Sequence, residues 1–314
     1  MALKWIPDNT NIDFVRLRFI TFGLSTLLAL LSLGLLISKG LNYGIDFTGG
    51  TLMEIKVVDQ PINLGELRAS LNSLELGAIS IQEFGSLEDL LIRLPEQAGG
   101  PEQQKAAIDS VHSALDQKFS NVDYRRTEFV GPQVGKELKE KGLMAVLFSI
   151  IGMLVYIWFR FEWQYGVGAC IALIHDTFIT VGLFSMTGME FNLSTVAAIL
   201  MIAGYSMNDT VVVFDRIREN LRKFKKMSIY ELLNKSINET LSRTIMTSGT
   251  TILALVALWL FGGEVIRGFV YALIFGIGIG TFSSIFVAAP VLLYLNIRHG
   301  GKKASSDEEA AQKA

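Results

Sequence analysis

Cysteine is almost absent: Cys170 is the single one in 314 residues, and it lies inside an apolar run. No disulfide can form within the chain, and a cysteine metal cluster is excluded. The histidines show neither His-x3-His nor His-Glu-x-x-His spacing, so no helix-borne metal motif exists. The phosphate-cradling pattern Gly-x4-Gly-Lys-Ser/Thr is missing too, which removes ATP as the energy source and leaves no cofactor to expect. Charged residues make up only 18%, against about a quarter in a soluble protein of ordinary composition. With a net charge of −2 and a pI near 6.0, there is no basic surplus to attract nucleic acid.

The apolar half of the composition is gathered into nearly uncharged blocks of roughly the 20 residues that a bilayer crossing requires. They are Phe19–Ser38, Gly142–Phe159, Gln164–Met186, Phe191–Phe214, Thr244–Gly263 and Gly268–Ile297. The first is too long for a signal-peptide core and is followed by no small-x-small cleavage site, so it reads as a retained helix. The last contains Pro290, which predicts a kink, a tilt or an exit from the bilayer at its inner end. Six spans place both termini on one side. Lys4, Arg16, Arg18, Arg160, the basic segment 215–242 and the tail 298–314 share that side, and the positive-inside rule makes it cytoplasmic. The segment 1–18 is then the cytoplasmic amino terminus. The basic segment suits anionic membrane lipid. Its apolar stripe (Ile229, Leu232, Leu233, Ile237, Leu241) reads either as a helix lying on the membrane surface or as a solvated connector. The small, charged tail reads as disordered.

Residues 39–141 form the one large loop, on the extracytoplasmic side. Thr51–Val58 alternates, with Met53, Ile55 and Val57 on one face and Glu54 and Lys56 on the other. Asn63 and Glu66 suggest a helix cap ahead of Leu64, Leu67, Leu71 and Leu74. Ala78–Phe84 and Glu88–Leu94 read as a strand pair, Pro101 opens a second helix, and Val122–Phe129 is a final strand. Strand, helix, strand, strand, helix, strand is the ferredoxin-like split βαβ order, an α+β domain. That fold decides no function by itself. With no nucleophile–base pair in view, binding is favoured over catalysis. Gly44, Gly49 and Gly50 precede the domain, and Gly131 and Gly135 follow it. They suit hinges, or equally tight turns at a domain boundary.

Asp209 is the residue out of place. It falls in Ala-Ile-Leu-Met-Ile-Ala-Gly-Tyr-Ser-Met-Asn-Asp-Thr-Val-Val-Val-Phe (198–214), about 9 Å of helix from Asp215 at the inner end. A carboxylate in hydrocarbon is costly and marks an ion or proton path, or answers a buried cation. Its helical face includes Ile202, Ser206 and Val213, with Tyr205 nearby and Asn208 and Thr210 widening the polar patch. Arg243 opens the fifth span and is the obvious partner; its face continues through Thr247. A static Asp209–Arg243 pair that fixes helix register is the alternative reading. The hydroxyl-rich stretch 244–251 serves a wet path or helix packing. His175 and Asp176 sit inside the third span and suit a proton relay or a helix-contact hydrogen bond. Neighbours diverge by about 100° around a helix, so the two do not readily share one partner.

Several segments together resemble the SecD/SecF family, on its SecF side, an accessory of the bacterial Sec preprotein translocase. They are Tyr-Gly-Ile-Asp-Phe-Thr-Gly-Gly-Thr (43–51), Val-Gly-Pro-Gln-Val-Gly-Lys-Glu-Leu (130–138), Ile-His-Asp (174–176), Gly-Tyr-Ser-Met-Asn-Asp-Thr-Val-Val-Val-Phe-Asp-Arg-Ile-Arg-Glu-Asn (204–220) and Asn-Glu-Thr-Leu-Ser-Arg-Thr (238–244). The resemblance implies kinship with resistance-nodulation-division transporters, in which two six-span halves build one proton-conducting unit. It implies SecD, the SecYEG translocon, YajC and an emerging preprotein as partners, in the bacterial inner membrane. It gives Asp209 the place of the family's pathway aspartate and Arg243 that of its functional arginine, with the remaining aspartate on SecD. Met207 stands where an apolar residue is usual. A self-sufficient small-molecule exporter half and a passive translocase scaffold are the rival readings; an enzyme is the least favoured.

Overall fold

The computed structural model describes residues 10–58, 62–77, 79–84, 86–262, 266–295 and 297. The expected disordered tail lies outside the described residues. The chain divides into two compact units, one of residues 41–145 and 189–196, the other of the described residues before 41, 146–188 and from 197 on.

The first unit carries a four-stranded antiparallel sheet. Its strands are β2 (Gly50–Val57), β3 (Ser80–Phe84), β4 (Ser86–Leu94) and β5 (Val122–Val130), in spatial order β3-β4-β2-β5. Helix α3 (Leu64–Asn72) joins β2 to β3, and α4 (Pro101–Lys118) joins β4 to β5. This is the ferredoxin-like order expected from the sequence. Alternation explains it: Met53, Ile55 and Val57 turn inward beside Leu90, Ile92 and Leu94, and meet Leu67, Leu71, Val111 and Leu115 from the two helices. Asn63 caps α3, its Oδ1 accepting from the backbone of Gly65 and Glu66 while its Nδ2 donates to Glu66 Oε1. Pro101 starts α4.

This unit holds more than the large loop. A two-residue strand β1 (Asn42–Tyr43) pairs in parallel with β6 (Glu190–Phe191), and a single turn, α2 (Ile45–Thr48), follows β1. Arg93 ties the pair down, donating to Asn42 Oδ1 and to Glu190 Oε2 at 2.5 Å. Gly49 and Gly50 form the turn from α2 into β2. Gly50 has φ +107°, and a Cβ there would lie 2.4 Å from the Leu94 carbonyl oxygen.

The glycine-rich stretch after β5 is not an open linker. Helix α5 (Pro132–Arg160) begins at Pro132, ten residues before the apolar run, and includes Gly135. A Cβ on Gly135 would sit 3.2 Å from the Gly49 nitrogen, so this glycine allows backbone to meet backbone. Gly44 is the N-cap of α2 and leaves room for the Glu190 carboxylate, while Gly131 has open space around it.

The second unit is helical. Six helical segments among the described residues are long and apolar enough to cross a membrane: Val15–Ser38, Gln133–Arg160, Trp163–Thr187, Leu193–Lys223, Ile229–Phe261 and Arg267–Tyr294. They contain α1 (Arg18–Ser38), α5, α6 (Trp163–Thr187), α7 (Leu193–Lys223), α8 (Ile229–Phe261) and α9 (Arg267–Ser283). Small residues set how closely they approach. Gly182 of α6 lies against Ser32 of α1, and Gly276 and Gly280 of α9 lie against Ile202 and Ser206 of α7.

Two expectations are corrected here. The amphipathic stripe of 229–241 lies neither on a membrane surface nor in solvent. Ser228 and Glu231 form a capping box that starts α8, and the helix runs unbroken to Phe261. Leu232, Leu233, Ile237 and Leu241 are buried in the chain's own helical core with Phe14, Val15 and Ile217. The α7–α8 connection is therefore a helical hairpin, held by Asn220 Nδ2 to Ser236 Oγ (3.0 Å) and by Arg216 to Glu239 (2.7 Å).

The last span breaks where Pro290 requires, but upstream of it. A π-turn (Ser284–Ala288) follows α9, with the Ala289 N–H donating to the Ser284 carbonyl five residues back. A short α10 (Ala289–Val291) and a 3-10 turn (Leu292–Tyr294) complete it. Proline has no N–H for the carbonyl four residues earlier, that of Phe286. Thr21 Oγ1 of α1 donates to that oxygen instead, at 3.4 Å.

Candidate functional site

Asp209 lies on α7 with its side chain turned into the helical unit, 5% exposed. Two hydroxyls answer its carboxylate. Thr244 Oγ1 of α8 donates to Oδ1 at 2.6 Å, and Ser284 Oγ of the π-turn donates to Oδ2. Asp209 makes no ion pair with Arg243 or any other described cation. Arg243 precedes Thr244 on α8 and its side chain is exposed, because one residue turns about 100° around the helix. Its positive charge bears on Asp209 through space. The direct pair anticipated from the sequence is thus replaced by hydroxyl contacts.

Asp176 on α6 is fully buried. Its Oδ1 lies 2.8 Å from His175 Nδ1, so the two neighbours bond to each other instead of seeking separate partners. Its Oδ2 accepts from Ser206 Oγ of α7 at 2.5 Å and from Ser283 Oγ of α9 at 2.6 Å. Three polar groups converge on one carboxyl, an arrangement that suits an anion. His175 Nε2 is buried without a hydrogen-bond partner among the described residues. The ring stacks on Phe282 with centroids 6.5 Å apart.

The other residues singled out from the sequence divide into two groups. Ser206 is buried but serves Asp176, not Asp209. Tyr205 reaches Thr251 Oγ1 at 3.3 Å. Asn208 and Thr247 are exposed, with Thr247 Oγ1 donating back to its own helix at the Arg243 and Thr244 carbonyls. Two residues were missed, Ser283 and Ser284, each donating to one of the two carboxylates. The signal was present: Thr-Phe-Ser-Ser (281–284) is a hydroxyl cluster inside an otherwise apolar span, a few residues ahead of a proline. Among the described residues no group of three or more His, Cys, Asp or Glu is placed to hold a metal ion.

Six apolar helices with buried carboxylates on inner faces, together with a ferredoxin-like domain, define a polytopic membrane protein of transport type. The family profile "Protein export membrane protein SecD/SecF, C-terminal" matches residues 110–298, and the "SecD/SecF GG Motif" matches residues 34–61, around Gly49 and Gly50. The chain belongs to the SecD/SecF family of protein export membrane proteins. It is 47% identical over 302 residues to protein translocase subunit SecF of Rickettsia prowazekii strain Madrid E, covering 96% of both chains. It is also 47% identical to that subunit of Rickettsia bellii strain OSU 85-389, over 92% of this chain and 95% of the relative. The crystal structure of SecDF from Thermus thermophilus, a translocon-associated membrane protein, matches with TM-score 0.84 and 35% identity. That match covers 95% of this chain and 40% of the SecDF chain. SecDF in a super-membrane-facing form matches with TM-score 0.67 and 34% identity, over 99% of this chain and 41% of the other. The chain thus spans nearly the whole of its SecF relatives and about two fifths of the SecDF chains.

Proposed function

We propose that this chain couples the proton motive force to late steps of preprotein translocation through the Sec channel, as the SecF half of a SecD–SecF complex. The single observation that carries the reading is the Asp209 carboxylate, buried in an apolar helical unit with hydroxyl partners and no ion pair. A buried carboxylate in an apolar setting is costly to keep charged, and a proton is the counter-charge we infer. Asp176 bonded to His175 forms a second acidic station beside it. Arg243, Asn208 and Thr247 lie on the exposed side of the same helices, where a second six-span half would close a path. SecD is the partner that supplies that half and the remaining carboxylate. The similarity to SecDF, whose chain is more than twice as long, supports this assignment.

Protonation of Asp209 removes its charge and changes what its neighbours donate, so the helices have two arrangements of similar energy. Movement passes to the domain of 39–141 on the periplasmic side, with Gly44, Gly49, Gly50 and Gly131 as its hinges, while Gly135 lies within α5 and packs against Gly49. That domain alternately holds and releases the emerging preprotein. SecYEG and YajC are the remaining partners, along with membrane lipid, and the complex lies in the bacterial inner membrane with both termini in the cytoplasm. The chain brings no cofactor or enzymatic chemistry of its own. The test is Asp209→Asn, which removes the titratable oxygen and keeps the shape. Export that depends on the proton gradient is expected to be lost, while the protein still assembles in the membrane. Unchanged gradient-dependent export would leave the chain a scaffold.

A further inference from the structure

The two carboxylates sit on different helices, α6 and α7, yet both are reached from one short stretch of the sixth span. Ser283 Oγ donates to Asp176 Oδ2 at 2.6 Å, and Ser284 Oγ donates to Asp209 Oδ2. Consecutive side chains on a helix point about 100° apart. Here that divergence lets adjacent hydroxyls serve two neighbouring helices.

Each hydroxyl also has a second acceptor. Ser283 Oγ lies 3.1 Å from the Gly280 carbonyl oxygen, and Ser284 Oγ lies 3.0 Å from the Thr281 carbonyl oxygen. A serine has one hydrogen to donate and two lone pairs to accept with. It therefore satisfies only one of its two acceptors at a time. While the carboxylate is ionised it can only accept, and the serine hydrogen must point at it. Once the carboxyl takes up a proton, it becomes the donor. Its new O–H is directed at the serine oxygen, and the serine hydrogen turns to the carbonyl three residues back. The serine gains and loses nothing: one proton arrives on the carboxyl oxygen, and one hydroxyl rotates.

The carbonyls that receive the rotated hydrogens lead directly into the π-turn. Gly280 O already accepts the Ser284 N–H, and the Ser284 carbonyl accepts the π-type bond from Ala289. Single π-turns inside helices recur at functional sites. The charged or titratable groups around the pair are His175 of α6, bonded to Asp176, and Arg243 of α8, acting on Asp209 through space. At this level the sixth span contributes the hydroxyls of Thr281 and Ser283 from α9 and of Ser284 from the π-turn.

We propose that Ser283 and Ser284 form a proton-sensing bridge, in which each hydroxyl turns between its carboxylate and its own backbone as that carboxylate is charged or neutral, and so delivers the state of both acids to the π-turn of the sixth span. The proposal rests on protonation of Asp209 and adds the element that reads it. These serines are positioning residues, since they act on the acids and carry no proton across by themselves.

The test is infrared difference spectroscopy of the full chain, reconstituted with its SecD partner in liposomes, across a pH step. Asp209→Asn identifies the carboxyl band that belongs to Asp209, and Asp176→Asn does the same for Asp176. In Ser284→Ala the Asp209 carboxyl band is expected at higher frequency, because its O–H has lost its acceptor, with the Asp176 band unmoved. Ser283→Ala is expected to shift the Asp176 band alone, and Ser284→Thr to restore the wild-type position for Asp209. Should Ser284→Ala fail to assemble, Ser284→Cys carries the same test through its weaker hydrogen bond, with a smaller shift in the same direction. An Asp209 band that titrates but stays in place in both Ser284 variants overturns the bridge and leaves the proton-driven reading intact. A wild-type protein in which no Asp209 band titrates removes both.

Discussion

In the sheet domain, the buried carboxylates of Glu54 and Asp89 share one cation: Arg125 Nη1 lies 3.8 Å from Glu54 and 3.0 Å from Asp89. In the helical unit, Asp176 and Asp209 are as deeply buried and meet hydroxyls and an imidazole instead. The difference lies in what each environment tolerates. A guanidinium is always charged and can only donate, so it matches a carboxyl in one form alone. A hydroxyl donates to an anion and accepts from an acid, so it suits both forms of a carboxyl. The two regions bury similar acids among unlike partners, a fixed cation in one and hydroxyls that suit either form of a carboxyl in the other.

The largest effect is expected from deleting the most deeply buried acid of the helical unit. Asp176→Ala strands His175 Nδ1 and Ser206 Oγ, while Ser283 can fall back on Gly280. Unsatisfied buried donors cost about 1–3 kcal/mol each, so a loss of roughly 2–6 kcal/mol is expected. Thermal unfolding in detergent measures it. Asp176→Asn keeps an oxygen for the serines and should recover more than half of the loss. Equal losses in the two variants would mean that the hydroxyl contacts contribute little.

The matching experiment in the sheet domain is Arg125→Met. It leaves Glu54 and Asp89 together without their cation. Breaking a fully buried pair costs about 3–5 kcal/mol. The Arg125 side chain is 35% exposed, so water recovers part of this and about 1–2 kcal/mol is expected. Unfolding with denaturant, followed by a probe in the sheet domain, reads it. If Arg125→Met proves neutral, the sheet domain's acids are not held by charge, and the contrast with the helical unit fails.

Much of this was legible in the sequence, for reasons that particular residues show. The period-two alternation of 51–57 and the leucine spacing of 64–74 named the sheet domain's layers, because one buried face leaves a strong pattern. The pair β1–β6 left none, since two-residue strands have no period, and 189–196 therefore joined the sheet domain unannounced. The apolar runs located every span but not the ends of α5, α7 and α8. Those helices continue through Gln133–Lys141, Asp215–Lys223 and Ile229–Arg243, where charged and polar residues favour helix without forming an apolar run. The stripe of 229–241 was visible, but a stripe does not say what covers it. Asp209 stood out as a lone charge in hydrocarbon, and its true neighbours did not. Ser206 was placed with Asp209 by helical spacing, yet Gly280 lets α9 approach close beside it, and there it meets Asp176. Ser283 and Ser284 escaped notice because a serine in a membrane helix commonly bonds its own backbone, and no local pattern marks a π-turn.

A third acid tests the comparison where water is plentiful. Asp13 accepts from the Tyr230 hydroxyl at 2.6 Å and from Asn234 Nδ2 at 2.7 Å, while Asn234 and Asn238 hold the backbone of Val15 and Ile12 at 2.9 Å. The Tyr230 hydrogen bond is the largest of the effects that hold its carboxyl below the usual aspartate range, with smaller help from Asn234 and Arg16 and an opposing contribution from burial. A lowered folded value means the contribution is complete above the unfolded value, near 3.9, and is lost as the pH falls through the folded one. Amide exchange of Ile12 and Val15 should therefore be insensitive to Asp13 protonation at neutral pH and should loosen only below about pH 4. Asp13→Ala should show the loosened state at every pH, with a small effect on the rest of the helical unit. Hydrogen exchange read by mass spectrometry on peptides covering 10–17 checks both. If those amides instead loosen between pH 5 and 7, the hydroxyl contact is not stabilising the anion, and the argument that hydroxyls suit either charge state loses its simplest example.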